Sequence, residues 1–179
     1  MSELKPVPMS VKSPMDSTYQ ITLAVGDAQV EIPDRKANSY WIVVIDRTTL
    51  KPVYNQVHTN PDTAPDIGPY DADNYMLVVC SVALGTGYVP QGAFYDFLYG
   101  AGAGTQLDRI IQVNQQIGCG EVGKMSYILV GLLGPGRPNT PGIELAQTEY
   151  SASGPILTIQ LIPADISGTV VYTPSRMGN

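Results

Sequence analysis

Few side chains in this sequence carry the chemistry of catalysis. There is one histidine, His58, and two cysteines, Cys80 and Cys119. Most metal and nucleophile constellations need more than that. His58 falls on a strand-like stretch near Asn60 and Asp62 with no obvious nucleophile beside it, so it reads as structural or surface. Cys80 sits in an apolar run and reads as core packing. Cys119 stands between two glycines, and two free thiols are the expectation. The G-x-S-x-G pattern of a serine nucleophile is absent. Asp62, Asp66, Asp71 and Asp73 share one segment. Hard cations take several oxygen ligands from a tight loop. This spacing is wider than an EF-hand and lacks its closing glutamate, which favours a solvated loop. Gly100, Gly102 and Gly104 follow a predicted helix, whereas a dinucleotide fingerprint follows a strand. Backbone amides opening the next helix are able to hold an anion, but a helix-to-helix linker is the simpler reading. No cofactor and no metal site is implied.

Tyrosine is the stronger signal. Eleven tyrosines stand against two phenylalanines and one tryptophan, and Tyr70, Tyr88, Tyr95 and Tyr99 fall in loops or at element ends. A tyrosine ring offers a rigid apolar face and a polar tip, suited to interfaces and polar ligands. The candidate ligand-binding set therefore lies on segments 60–74 and 85–104. Tyr70, Tyr88 and Tyr95 would stack, and Asp71, Asp73, Asn74 and Gln91 would hydrogen-bond. Half-buried packing is the competing reading of the same rings.

Composition narrows the partners. The chain has 179 residues, a net charge of −6, 15% charged and 44% hydrophobic residues. That describes a globular chain of one domain's length. The basic footprint of a nucleic-acid binder is missing, and the acidic balance disfavours docking on anionic lipid. No apolar run is long enough to span a membrane. The opening MSELKPVPMSVKSP is not a secretory leader. The expectation is a protein that is cytoplasmic when made, or one exported by a route the sequence does not display.

Several elements must position these groups. Residues 1–16 read as a polar, proline-punctuated, flexible arm that either frays or orders against a partner subunit, with one globular domain over 17–179. Residues 17–32 alternate through Tyr19, Ile21, Leu23 and Val25, turn at Gly26-Asp27, and resume at Val30 and Ile32, a hairpin pattern. SYWIVVID at 39–46, YMLVVCSVAL at 75–84 and MSYILVGLL at 125–133 are continuous apolar runs, predicting strands buried on both faces. Residues 52–59 alternate behind Pro52 and predict an edge strand. Residues 60–74 hold three prolines and four aspartates and predict a long surface loop. Helical spacing marks 90–99, with Pro90 suited to the first turn. It also marks 105–117, with Thr105 and Asp108 in a capping-box arrangement and Gly118 as the stop. Residues 134–142 predict a turn-rich loop, and 155–162 and 168–173 two further strands. The fold class is α+β and β-rich, a mostly antiparallel two-sheet sandwich or roll with two short central helices.

Four segments carry a family resemblance: ANSYWIVVIDRTTLKPVYNQVHT, NYMLVVCSV, AGTQLDRIIQVNQQIGC and KMSYILVGLLG. Their order and patterning resemble the interleukin-like EMT inducer, or PANDER-type, domain over about half of the chain. The resemblance implies two antiparallel sheets with short helices alongside, and a lectin-like, carbohydrate-binding role without catalysis. The sequence departs from that pattern in three places. The expected glycine before the first buried strand is replaced around Asn38-Ser39. The acidic turn after the second is replaced by LGTGYVPQG and an inserted helix. The secretory cysteines are missing. The leading expectation is a non-enzymatic, lectin-like module for a glycan or other polar surface ligand. The alternative is a structural subunit of a homo-oligomeric assembly or particle, motivated by the low charge fraction and the proline-rich N-terminal segment.

Overall fold

A computed structural model describes residues 4–117, 124–136 and 140–177. The strands are β1 (Val7–Lys12), β2 (Thr22–Val25), β3 (Ala28–Val30), β4 (Ser39–Asp46), β5 (Pro52–His58), β6 (Tyr75–Val82), β7 (Ser126–Leu132), β8 (Ile143–Gln147), β9 (Ile156–Ile166) and β10 (Thr169–Arg176). The helices are α1 (Gly92–Gly100) and α2 (Thr105–Ile117). The strands form two five-stranded sheets, ordered β10-β9-β1-β2-β3 and β5-β4-β6-β7-β8, and every named pairing is antiparallel. The α+β two-sheet sandwich expected from the sequence is the observed fold.

The molecule has three layers, which explains two kinds of strand. The β5-β4-β6-β7-β8 sheet is the middle layer. Its Trp41, Val43, Val78, Cys80 and Ile128 pack toward the other sheet. The alternate residues Tyr40, Ile42, Val79, Tyr127 and Leu129 pack with Phe94 and Leu98 of α1 and Leu107 and Ile110 of α2. Both faces are covered, so these strands read as unbroken apolar runs. Each such fully buried side chain contributes about 1.5–3 kcal/mol. The β10-β9-β1-β2-β3 sheet is an outer layer. In β9, Leu157, Ile159 and Leu161 are buried, and Ile156, Thr158 and Ile162 alternate to the exposed side.

Local chemistry sets the junctions. Gly26 turns the β2–β3 hairpin at φ +57°, where a glycine has no steric penalty. Asp46 Oδ1 accepts from the amides of Thr48 and Thr49 and from the Thr48 hydroxyl, closing the β4–β5 turn. Burial opposes ionisation of Asp46, but these donors outweigh it and hold its carboxyl below the usual range. Gly131 in β7 lies directly under the Ala101 carbonyl, where a Cβ would overlap it, so the end of α1 seats on the sheet.

Three expectations need correction, and one strand is new. The supposed arm is not an arm over residues 7–12: β1 is the central strand of the outer sheet, between β9 and β2. Met9, Val11 and Met15 are buried. Pro90 lies outside α1, whose N-cap is Gln91. The run IELAQ, unassigned from the sequence, is strand β8. The cap of α2 is not a Thr105–Asp108 box: the amides of Gln106 and Leu107 donate to the Glu144 carboxylate at 3.2 Å each. The expected stop at Gly118 and the thiol of Cys119 lie outside the described residues.

Candidate functional site

The structure divides the expected binding set between two ends of the middle sheet. Strand β6, eight residues or about 26 Å at ~3.3 Å per residue, carries the chain from one end to the other between Asn74 and Gly85. Tyr70, Asp71, Asp73 and Asn74 lie where β6 begins. The Asp71 carboxylate accepts from the Gly134 amide at 3.1 Å and the Asp73 carboxylate from the Gly136 amide at 2.9 Å. The carbonyls of Asp73 and Asn74 accept from the Arg47 guanidinium and the Arg47 amide, at 2.7 and 2.9 Å. Tyr70 is half-buried, edge-on to Tyr75 at 5.3 Å between centroids. These groups fasten the loop after β7 and the end of β4. Asp66 accepts from the Gly68 amide within its own turn. Among the described residues, no group of three or more His, Cys, Asp or Glu is gathered to hold a metal ion.

Tyr88, Gln91 and Tyr95 belong to the helical layer, starting at the opposite end. The Tyr40 hydroxyl donates to the Tyr88 carbonyl at 2.8 Å, and the Asn114 side chain accepts from the Gly87 amide at 3.0 Å. Gln91 caps the start of α1 through its backbone and donates its amide to the Pro61 carbonyl at 2.7 Å. The Tyr95 hydroxyl donates to Asp108 of α2 at 3.0 Å, and its ring stacks on Tyr99 at 5.6 Å. Burial and then Asp108 raise the Tyr95 hydroxyl above the usual phenol range. Tyr99 is 54% exposed. This surface brings three of the seven expected residues into one layer and adds Tyr99 and Asp108.

The remaining chemical candidates are engaged structurally. His58 Nε2 donates to the Thr63 carbonyl at 2.6 Å, and its ring lies edge-on to Phe94. Cys80 is a free, buried thiol pushed up by its surroundings, donating to the Lys12 carbonyl at 3.2 Å. The amides opening α2, which the sequence offered as an anion site, hold the chain's own Glu144 carboxylate. Glu144 also accepts from the Tyr127 hydroxyl at 2.6 Å. Burial first, and Glu144 second, push that hydroxyl well above the usual phenol range.

A further concavity lies outside the segments singled out by sequence for ligand binding. A cavity of about 340 Å³ opens beside the β2–β3 hairpin. Its lining is mostly polar, from Gln20, Thr22, Gln29, Glu31 and Arg35, with the half-buried Val30 and Ile32 beside them and Ile21 and Leu23 buried beneath in the core. The Arg35 guanidinium donates to the Tyr19 carbonyl at 3.2 Å, and the exposed Tyr19 is one residue from the lining. The Glu31 carbonyl accepts from Asn55 of β5 at 2.8 Å, which ties the segment after β3 to the middle sheet. Gln20, Gln29 and Glu31 occupy polar positions of an alternating hairpin and read from sequence only as its solvent side. Their convergence with Arg35 depends on the chain bending at Pro33-Asp34, which pattern alone does not orient. Comparison of the chain with models of known protein families and with curated proteins finds no match in either.

Proposed function

We propose that this chain is a non-enzymatic binding module that takes a hydroxyl-rich ligand, a glycan, in the cavity beside the β2–β3 hairpin. One observation carries the reading: the 340 Å³ concavity gathers two amides, a carboxylate and a guanidinium beside the half-buried Val30 and Ile32. Its size is that of a small-molecule site, about 300–1,000 Å³. Amide, carboxylate and guanidinium groups pair with the vicinal hydroxyls of a sugar, and Val30 and Ile32 add a small apolar surface beside them. The absence of catalysis in this reading is supported by the engagement of His58, Cys80, Glu144 and Asp108 in structural hydrogen bonds. The resemblance of residues 37–59, 74–82, 103–119 and 124–134 to the interleukin-like EMT inducer domain points the same way. The tyrosine surface of the helical layer is the competing seat on the same molecule.

A glycan array followed by titration of the best ligand tests the proposal. Replacing Arg35 and Gln29 with alanine is expected to weaken binding at least tenfold, and Tyr88→Ala with Tyr99→Ala to leave it within twofold. The opposite pattern moves the site to the helical layer and overturns the cavity. An array with no ligand above background overturns the glycan reading itself.

A further inference from the structure

We propose that the outer face of the β10-β9-β1-β2-β3 sheet is a docking surface for a second copy of this chain. The strand register defines that face. Ser10 pairs with Thr158 and Ala24, Lys12 with Ile156 and Thr22, and Thr173 with Ile162, so these residues lie on the side opposite the buried Met9, Val11 and Leu161. Ile156, Ile162 and Ile166 all project from it, 60%, 41% and 58% exposed. Single exposed isoleucines are ordinary, but here three lie on one side of one strand, interleaved with Thr158, Gln160 and Ala164, and make that side an uncharged, partly apolar row.

Charge selects the occupant. The chain carries sixteen acidic side chains, yet no outward position of these five strands is Asp or Glu, and Lys12 alone is charged there. Acidic groups crowd the other surfaces instead: Asp66, Asp71 and Asp73 at one end, Asp96 and Asp108 on the helices. Glu31, just past β3 on the same side, is a carboxylate at the margin of this face, so two acidic copies that meet over β9 and β1 bring few carboxylates into opposition, as a self-complementary two-fold contact requires. A strongly charged partner finds little to pair with on this face.

Area and edges agree. At ~3.3 Å per residue and ~4.8 Å between strands the five strands cover about 500 Å² in projection. That is below the ~800 Å² each partner commits to a standard interface and fits a weaker, concentration-dependent contact. Strand addition at β10 is blocked. The Tyr172 amide and carbonyl are both taken by Arg47, and Pro174 has no donor to offer. With that edge closed, and β3 at the other edge only three residues long, face-to-face sheet packing is the geometry the exposed isoleucines of β9 favour.

Light scattering coupled to size exclusion, run over a hundredfold range of concentration, tests the proposal. Wild type is expected to reach twice the 19.2 kDa chain mass, and Ile162→Lys to weaken association at least tenfold while keeping the wild-type melt. Thr158→Lys, central on the same face, is the second variant if the first fails to fold. A wild type that stays monomeric throughout overturns the proposal, and so does an oligomer that neither substitution loosens. A glycan titration of the folded monomeric variant that matches wild type shows that the interface and the ligand site are separate properties.

Discussion

Glu144 is a carboxylate enclosed by the fold, 7% exposed, with three donors converging on it. Two are backbone amides opening α2, the groups a helix leaves unpaired at its start. The third is the hydroxyl of Tyr127, itself buried. Removing the carboxylate strands all three. Charged hydrogen bonds contribute about 1.5–3 kcal/mol, and an orphaned buried donor costs about 1–3 kcal/mol. Glu144→Ala is therefore expected to destabilise the protein by about 3 kcal/mol. Glu144→Gln keeps one acceptor oxygen and should cost about half as much by the same scale. Urea unfolding followed by the single tryptophan, Trp41, measures both, and equal losses in the two variants would contradict the capping role. Sequence placed this cap on Thr105 and Asp108 because local spacing sees only neighbours. Glu144 is 37 residues from Leu107 and interrupts a short strand as a lone charge. The same blindness hid the cavity, whose groups meet only after Pro33 bends the chain.

Strands buried on both faces were the most legible elements. SYWIVVID became β4 with the same bounds, since a sheet between two layers imposes an unbroken apolar run. Strand β1 was misread for an equally physical reason. Its alternation of Val7, Met9 and Val11 against Pro8, Ser10 and Lys12 is a strand pattern, but Pro8 argues against a central position. The structure resolves the conflict. The Pro8 carbonyl accepts from Gly26, in the β2–β3 turn beyond the end of β2, so the missing Pro8 donor faces the turn rather than a ladder partner. A detachable arm predicts that deleting residues 1–12 leaves the domain intact. A central strand predicts that the deletion removes the ladders to β2 and β9 together with Met9 and Val11. Large-to-small changes at single core sites already cost about 2–5 kcal/mol, and domains of this kind have about 5–15 kcal/mol in all. The deleted protein is expected to lose its cooperative melt, and retention of a wild-type melt by circular dichroism would restore the arm.

At the scale of the whole molecule, nearness in sequence failed as a guide to nearness in space. The candidate residues 70–95 are contiguous in the chain, yet β6 crosses the entire middle sheet between them. The Asp71–Asn74 end instead became a fastening point between the two sheets, centred on Arg47 at the end of β4. Its guanidinium donates to the carbonyls of Tyr172 and Asp73 and to the Thr173 hydroxyl, at 2.9, 2.7 and 2.9 Å. Its own carbonyl accepts from the Tyr172 amide at 2.9 Å. A planar fork reaches these three acceptors at once. An ammonium on a flexible stem does not, so Arg47→Lys is a disruptive change here despite conserving charge. Strand β10 is an edge strand, held on one side by β9 and on the other by this contact. Loosening Arg47 should therefore free the β9–β10 hairpin before it unfolds the helical layer. Arg47→Lys is expected to lower global stability by about 1–2 kcal/mol. Exchange of the Tyr172 amide should accelerate at least tenfold beyond that of the Ile110 amide in α2. Hydrogen exchange resolves the two. Equal acceleration at both sites would mean that the sheets separate only when the whole molecule unfolds, and that Arg47 supports the sandwich as one cooperative unit rather than pinning one hairpin to it.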